Sequence, residues 1–388
     1  MGSLEDLYKK NIASFLNVNA DQIFLYWKGR VALYALLKAM HVTKDDEIIL
    51  PAFTCVVVAN AILYLGAKPV YVDIDKETYN PRFEDIKRAF TAKTKVIICQ
   101  NTFGLSSHIE EITSFAKAHH VYTIEDCTHG FGGYYHGRPN GTFCDAAFYS
   151  TQWNKPFHTG TGGFALINNL NLMESIHQAN RDLIKPSLKQ TISLKLLFFV
   201  KEKLLNRYTY WFLVRFYRFL SMHNLILGSS SGEEVSSVDR PKNYFMALSK
   251  VQMKKGIQNI KTLQQILIRR KENAKIYTQF LMSKNINHVP LYLFENHSFL
   301  KYPLLVENRE EVFRLAKKQN IKLGDWFNSP LHPVQKDFER WQFHAELYPH
   351  AVFIGKRMVN LPTDTKDTAH ILRFLQNINQ DFRVIYKS

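Results

Sequence analysis

Acidic residues are scarce in this chain of 388 residues. Its 34 aspartates and glutamates stand against 50 lysines and arginines, which gives a formal net charge of +16 at pH 7. Such an excess attracts polyanions, whether nucleic acid, an anionic membrane surface or a phosphorylated metabolite. Because no helix-turn-helix, zinc or RNA-binding signature accompanies the charge, we expect no nucleic-acid partner. Charge alone does not decide between an anionic membrane surface and a phosphorylated metabolite.

Cysteine is also rare, and we expect no secretory leader. The spacings of Cys55, Cys99, Cys127 and Cys144 match neither a disulfide framework nor a CxxC metal knuckle, so we expect reduced thiols and no metal site. The chain starts with MGSLEDLYKKNIASF, which has no short apolar run behind a basic leader and no small-residue cleavage site. These features favour a folded cytoplasmic protein.

Short apolar runs alternate with helix-like stretches over the first 170 residues or so. The apolar runs cover 47–50, 70–72, 96–99, 121–125 and 146–149, and the helix-like stretches cover 26–40, 55–64 and 109–118. This alternation predicts an α/β fold with a mostly parallel sheet flanked by helices and with ligands at the carboxyl ends of the strands. The first helix pattern follows Gly29, so its N-terminus is a candidate anion site.

The second half of the chain has a different pattern. We predict a flexible loop in the Ser/Gly-rich stretch 228–237 and a long charged helix over 244–282. Strand-like and helix-like segments at 298–306 and 310–319 then predict a small α/β unit. We therefore divide the chain into a large cofactor-binding domain, 1–255, and a connecting helix with a smaller C-terminal domain, 256–388.

A basic, aromatic segment interrupts the large domain at about 185–235. Glu202 is the only acidic residue between 185 and 227, and the charges of Lys201, Arg207, Arg215 and Arg218 break the apolar runs well below the ~20 residues that a bilayer crossing requires. Two interpretations stay open. The helices pack against the body or a partner subunit, which we favour, or they form a peripheral surface for anionic lipid.

Two loops carry the candidate chemistry. Asp126 and His129 lie in IEDCTHGFGG after one predicted strand, and Ser150 and Lys155 lie in FYSTQWNKPFHTGTGG after another. With the helix start at Gly29, they supply an amine for an aldehyde, a carboxylate for a pyridine nitrogen, and hydroxyls and amides for a phosphate. Few cofactors besides pyridoxal phosphate need all three groups. Each residue also has a plainer interpretation, such as a helix cap for Asp126 or a surface lysine for Lys155.

With these motifs, the sequence resembles the DegT/DnrJ/EryC1/StrS family of sugar aminotransferases, in order across nearly the whole chain. The matching elements are Gly29-Arg30, 51–54, 66–75, 125–129, Ser150 to Lys155 with Gly162-Gly163, Arg240 before Gln252-Met253, Pro330-Leu331-His332 and Asn360-Leu361-Pro362. The resemblance implies a fold-type I aminotransferase, with pyridoxal 5'-phosphate as cofactor.

The resemblance also implies roles for individual residues. Lys155 holds the cofactor as a Schiff base, and Asp126 pairs with the pyridinium nitrogen. Ser150 and the amides of Gly29 and Arg30 bind the phosphate, although Arg30 replaces a small hydroxyl residue of the family.

Other matching positions complete the implied site. His129 lies beside the cofactor ring, and Thr54 and Cys55 contact the cofactor, with Cys55 in the place of an aromatic that stacks on the ring in many members. Arg240 corresponds to an arginine at the subunit interface and is counted among the cofactor-binding residues, and His332 belongs to the substrate site.

The implied reaction moves an amino group from an amino acid, glutamate by resemblance, to a nucleotide-linked keto-sugar. The resemblance further implies a homodimer whose active site is completed across the interface. A sugar dehydratase of the same family is a weaker alternative, because it carries histidine at the position of Lys155. A catalytically idle ligand-binding relative, or a membrane-surface protein built on the segment 185–235, is an alternative from another class.

Overall fold

The computed structural model describes residues 2–206, 209–222 and 232–381. The strands are β1 Ile23–Tyr26, β2 Glu47–Pro51, β3 Thr54–Cys55, β4 Lys68–Val72, β5 Thr94–Gln100, β6 Tyr122–Asp126, β7 Tyr134–Tyr135, β8 Arg138–Pro139, β9 Ala146–Ser150, β10 Gly163–Ile167, β11 Tyr302–Leu305, β12 Leu331–His332 and β13 Met358–Leu361. The helices are α1 Leu4–Leu16, α2 Gly29–Ala39, α3 Val56–Leu63, α4 Phe83–Ala89, α5 Ile109–Ala118, α6 Met173–Ala179, α7 Leu188–Phe199, α8 Tyr210–Met222, α9 Gly232–Ser236, α10 Lys250–Asn259, α11 Leu263–Ser283, α12 Arg309–Lys318, α13 Pro349–Arg357 and α14 Thr368–Asp381.

A seven-stranded sheet forms the centre of the fold, in the order β1-β10-β9-β6-β5-β2-β4. The pairings from β9 through β6, β5 and β2 to β4 are parallel, whereas β10 is antiparallel to both β9 and β1. The predicted α/β fold with a mostly parallel sheet is confirmed. Because β5, β6 and β9 run in the same direction, their last residues, Gln100, Asp126 and Ser150, lie along one edge of the sheet.

Helices cover both faces of this sheet, which explains why its inner strands read as continuous apolar runs. Side chains alternate between the faces: Phe24 packs in the same core as α2, α3 and α6, whereas Leu25 packs with Tyr8 of α1 and Met253 of α10. Every residue of β2 and β9 is buried. The edge that carries the strand ends is therefore held on a rigid, fully packed scaffold.

The C-terminal part builds a second, smaller core. The two-stranded antiparallel sheet β11-β13 packs with α11, α12 and α14 around buried side chains that include Tyr277, Leu304, Val312 and Phe374. The short strand β12 leaves this unit and pairs in parallel with β3, with His332 opposite Cys55. This pairing carries residues of the C-terminal part to the edge of the large sheet.

Two local predictions were wrong. In the stretch 244–282, which was predicted as one helix, residues 244–249 are not helical, and the remainder forms two helices, α10 and α11, separated by a 3-10 turn at Ile260–Thr262. Of the stretch predicted as a flexible loop, 228–237, residues 228–231 lie outside the described residues, whereas Gly232–Ser236 form α9, which packs against α3 and buries Glu234. The apolar and ionic contacts of Val235 and Glu234 outweigh the local preference of serine and glycine for a loop.

The predicted insertion contains α7, a π-helical turn at Val200–Leu204, and α8, and we call residues 188–222 the helical insertion. Leu194 and Phe198 anchor α7 against Trp27 and Met246. The chain segments that lead into and out of the insertion lie side by side, since the amide of Ile184 donates to the carbonyl of Phe245 at 3.0 Å. No helix in the described residues combines the length and the apolar character that crossing a bilayer demands.

Candidate active site

A cavity of about 900 Å³ opens at the carboxyl ends of the sheet strands, between the N-terminus of α2, β12 and the helical insertion. Most of the residues predicted from sequence line this cavity: Gly29, Arg30, Cys55, Asp126, His129, Ser150, Lys155 and His332. The fold therefore brings together residues that are separated by up to three hundred positions in the sequence. Thr54 and Arg240 are not among the lining residues.

The N-terminus of α2 abuts the end of β9 so closely that glycine is needed at two positions. A Cβ on Gly29 would lie 2.9 Å from the carbonyl oxygen of Tyr149 and 3.0 Å from Cβ of Ser150, and a Cβ on Gly163 would lie 2.3 Å from the amide nitrogen of Gly29. The unpaired first amides of a helix and its dipole favour an anion. Gly29, Arg30 and Ser150 therefore form a cradle of amides and a hydroxyl that is suited to a phosphate.

The side chain of Arg30 faces a carboxylate that the sequence did not reveal. Arg30 Nη1 lies 2.8 Å from Glu234 Oε1, and Lys28 Nζ lies 3.2 Å from Glu234 Oε2. Asn60 Nδ2 fixes this part of α9 by donating to the carbonyl oxygen of Glu234 at 2.7 Å. Arg30 and Glu234 are both buried. The ion pair offsets the charge of Arg30 and leaves the amides of α2 as the main anion-binding groups of the cradle.

Asp126 and Lys155 form the charged centre of the cavity, and only 3% and 8% of their surfaces are exposed. Burial raises the pKa of the Asp126 carboxyl, against hydrogen bonds from Thr128, whose amide donates to Oδ1 at 2.9 Å. Burial likewise lowers the pKa of the Lys155 amine, while Asp126 opposes that shift. A lowered pKa keeps a larger share of the amine unprotonated near neutral pH, which a nucleophile or a base requires.

His129 is buried beside these two residues and is a neutral hydrogen-bond donor. Its Nδ1 accepts from the amide of Phe103 at 3.2 Å, so the ring proton resides on Nε2. Burial, followed by the charges of Lys155 and Lys301, holds the pKa of His129 well below its usual value. The ring therefore offers an N–H group to an oxygen atom in the cavity without adding a charge.

Trp326 is an aromatic wall of the cavity that the sequence reasoning missed. Its ring is parallel to that of His129, with 5.0 Å between centroids and 3° between planes, and Lys155 Nζ lies 4.4 Å from the Trp326 centroid. Phe327 stacks on His129 from the same loop, at 5.5 Å. The signal was available as two consecutive aromatics just before Pro330-Leu331-His332. Cys55, which replaces an aromatic of the family pattern, lies half-buried in the cavity wall.

The other predicted residues have different surroundings. Thr54 is fully buried behind the cavity wall, where its hydroxyl donates to Gln100 Oε1 at 2.6 Å, and Gln100 lines the cavity in its place. Arg240 is at the surface and donates to the Tyr34 hydroxyl at 2.5 Å. His332 lies in the cavity, with Nδ1 2.7 Å from Asn328 Oδ1.

The inner side of the helical insertion forms a further wall of the cavity. The residues of the insertion that line it are Leu197, Val200, Lys201, Leu205, Leu213, Val214 and Tyr217. Composition predicted helices here, but it did not show which side chains would face inward. In the described part of the insertion, the cavity wall is thus largely apolar and carries one lysine.

The residues of the cavity fit pyridoxal 5'-phosphate. A buried amine of lowered pKa and a buried carboxylate lie in one cavity with an amide cradle whose glycine leaves room for an oxyanion. A doubly covered, mostly parallel sheet that presents these groups at the carboxyl ends of its strands defines a fold-type I aminotransferase.

Comparison with known proteins identifies the family. The model of the DegT/DnrJ/EryC1/StrS aminotransferase family matches residues 2–193 and 227–372. The chain belongs to this family, and it is an aminotransferase that depends on pyridoxal 5'-phosphate. The match leaves out residues 194–226, which are most of the helical insertion.

Several relatives have been named or solved. The chain is 27% identical to GDP-perosamine synthase of Escherichia coli O157:H7 over 95% of its own length and 89% of the relative's. It is 36% identical to UDP-2-acetamido-2-deoxy-3-oxo-D-glucuronate aminotransferase of Pseudomonas aeruginosa over 39% of this chain and 43% of the relative. Its fold is similar to that of Helicobacter pylori PseC, with a TM-score of 0.74 and 17% identity over 98% of this chain and 92% of that one.

Proposed function

We propose that this aminotransferase moves an amino group from an amino acid, with glutamate as the expected donor, to the keto group of a sugar carried on a nucleoside diphosphate. The buried pair of Lys155 and Asp126 in one cavity carries the proposal. Support for the sugar comes from the relatives, whose names denote a GDP-perosamine synthase and a UDP-sugar aminotransferase. The basic charge of the chain would attract such an anionic acceptor.

The residues of the cavity divide the chemistry between them. The amides of Gly29 and Arg30 and the hydroxyl of Ser150 would hold the cofactor phosphate, and Asp126 would stabilise a proton on the ring nitrogen. Bound pyridoxal phosphate supplies an electron sink for the carbon that exchanges the amino group. The Lys155 amine would hold the cofactor at rest and move the proton once released, and His129 Nε2 would donate to a ring oxygen. Thr54 would act only through Gln100.

The alternatives within the fold have less support. A dehydratase of this family resembles the chain but carries histidine where Lys155 stands. An idle ligand-binding relative would have no need for a buried amine of lowered pKa opposite a buried carboxylate.

We also propose that two copies of the chain form a homodimer with two-fold symmetry. Arg240 is exposed and outside the cavity of its own chain, which suits an arginine that reaches the partner's cofactor. His332 would contact the acceptor. We propose the division into 1–255 and 256–388 as the two domains of each copy, because separate cores form around the large sheet and around β11-β13.

We further propose that the helical insertion rests on the inner, cytoplasmic face of a membrane. One side of α7 exposes Leu188, Ile192, Leu196 and Phe199, and one side of α8 exposes Phe212, Phe216 and Phe219. The same segment also exposes cations, namely Lys189, Lys195, Lys203 and Arg215. Apolar rows together with basic residues complement a surface of anionic lipid.

An absorption experiment tests the aminotransferase function. The wild-type protein with pyridoxal phosphate should show a visible band of bound cofactor that glutamate bleaches, and Lys155→Ala should lack that band. Lys117→Ala, a change at an exposed lysine near the end of α5, should behave like the wild type. A wild-type protein that binds cofactor but does not respond to any amino acid would contradict the proposal.

A further inference from the structure

Lys201 is a cation of the cavity that the proposed chemistry does not use. The cations that line the cavity in the described residues are Arg30, Lys155 and Lys201. Arg30 is paired with Glu234, and Lys155 is the amine of the reaction. Lys201 lies in the π-helical turn Val200–Leu204 of the helical insertion, and such turns occur often at functional sites.

The position of Lys201 places its ammonium next to the loop that carries Lys155. Nζ donates to His158 Nε2 at 2.9 Å and to the carbonyl oxygen of Trp153 at 3.4 Å, and it lies 4.9 Å from the centroid of the Trp153 ring. An ammonium has three N–H groups, so these two acceptors leave one for a ligand. Trp153 also lines the cavity.

The charge of Lys201 has no carboxylate partner within ion-pair distance among the described residues, whereas Lys255 nearby is paired with Glu202. Burial, followed by the charge of Lys255, lowers the pKa of Lys201 to about 8, so the amine is still mostly protonated at pH 7. The carboxylates of Glu202 and Asp364 attract Lys201 only from beyond ion-pair distance, so this half-buried ammonium favours an anion in the cavity beside it. The phosphate cradle is built from α2 and the end of β9, whereas Lys201 belongs to the helical insertion, so an anion at Lys201 need not be the cofactor phosphate.

We propose that the helical insertion forms the acceptor subsite and that Lys201 binds the diphosphate of the nucleotide-linked sugar. Leu197, Val200 and Leu213 around it exclude water from the ion contact and offer an apolar surface to the rings of the acceptor. This inference rests on the proposed function, since it assigns one ligand group of the same reaction.

Measuring the glutamate step and nucleotide binding separately distinguishes a role of Lys201 in holding the loop of Lys155 from a role in binding the diphosphate. Lys201→Gln should leave the bleaching of the cofactor band by glutamate within about twofold of the wild-type rate. It should raise the dissociation constant for GDP or UDP, measured by calorimetry, roughly 10- to 100-fold, the usual effect of losing a hydrogen bond to a charged group. Lys203→Gln is the matched control, because Lys203 is exposed on the same turn and does not line the cavity.

The pH profile distinguishes a phosphate ligand from a structural lysine. The affinity of the wild type for GDP should fall as pH rises through about 8, the pKa of Lys201. Lys201→Arg should keep its affinity to higher pH, since arginine stays protonated.

Two results would overturn the assignment. If Lys201→Gln slows the glutamate step as much as it weakens GDP binding, Lys201 only holds the loop of Lys155. If GDP and UDP bind equally well to all variants, the diphosphate is bound elsewhere. Failure of the proposed function itself would show differently, as a wild-type protein that glutamate does not bleach.

Discussion

At the scale of single residues, the cavity depends on opposite charges that burial makes costly. Asp126 favours the charged form of Lys155, and Lys155 favours that of Asp126, although burial opposes both. Each residue therefore sets the protonation state of the other. Since burial is the larger effect on Lys155, its pKa falls to about 7, and a substantial share of the amine is unprotonated near neutral pH.

Asp126→Asn should separate cofactor binding from turnover. The amide leaves the phosphate cradle intact, so the visible band of bound cofactor should persist, while the glutamate step should slow roughly a hundredfold or more because a proton on the ring nitrogen loses its partner. Stopped-flow absorbance measures both. Glu125→Gln is the matched control, because Glu125 is the neighbouring buried carboxyl but does not line the cavity. Asn101 donates to its side chain, and burial raises its pKa to about 7. An unchanged rate in Asp126→Asn would remove Asp126 from the chemistry.

The sequence could predict site residues that follow a strand directly, and it missed those that arrive from far along the chain. Asp126 and Ser150 end their strands, so their place at the sheet edge follows from the strand pattern alone. Glu234 meets Arg30 across about two hundred residues, and Trp326 meets His129 across a similar distance. No local pattern encodes such contacts, because they depend on how α9 and the loop before β12 pack.

At the scale of elements, α9 secures the start of α2. Glu234 is the carboxylate shared by Arg30 and Lys28, so α9 holds the helix that carries the phosphate cradle. The serine and glycine of this stretch predicted a loop, because local propensity does not register a buried ion pair. A contact that is distant in sequence also accompanies the break in the predicted helix 244–282. There, Asn259 Nδ2 donates to the carbonyl oxygen of His158.

Glu234→Gln should destabilise the fold and weaken cofactor binding. It leaves Arg30 buried without its carboxylate, and breaking a buried ion pair in this way costs about 3 kcal/mol of unfolding free energy. Urea denaturation of the protein without cofactor measures the loss. Glu84→Gln, which removes an exposed partner of Lys87, should change stability by less than about 1 kcal/mol. Equal stability of the two variants would mean that α9 does not secure α2.

At the scale of the whole molecule, the helical insertion has two unlike sides. Its inner side closes the cavity, and its outer side exposes phenylalanines, of which Phe212 is 72% and Phe216 51% exposed. The sequence shows directly that this segment is basic and aromatic, and it predicted helices there. It could not predict which rows would face the cavity and which would face outward, because both sides of α8 are apolar.

Phe212→Ser combined with Phe216→Ser should weaken the sedimentation of the protein with vesicles that contain phosphatidylglycerol by at least about tenfold, since each buried phenylalanine contributes roughly 1.5–3 kcal/mol. The wild type should bind these vesicles at low salt, less at high salt, and not bind vesicles of phosphatidylcholine. Leu347→Ser, at an exposed leucine outside the insertion, is the control. If a second copy of the chain covers these rows instead, the wild type should bind neither kind of vesicle, and the Phe212→Ser/Phe216→Ser variant should be monomeric by light scattering.

The way the helical insertion joins the body bears on whether its sequence can be replaced without disturbing the sheet. Ile184 accepts from the amide of Ala247 and donates to the carbonyl of Phe245, so the segments that flank the insertion and α9 lie side by side. A segment closed at its base can lengthen, shorten or be exchanged while the sheet beneath it keeps its geometry. We therefore expect residues 188–222 to be exchangeable as a unit as long as the apolar contacts of α7 and the position of Glu234 in α9 are kept. If the insertion forms the acceptor subsite as proposed, grafting another sequence there should change the acceptor and leave the glutamate half-reaction intact.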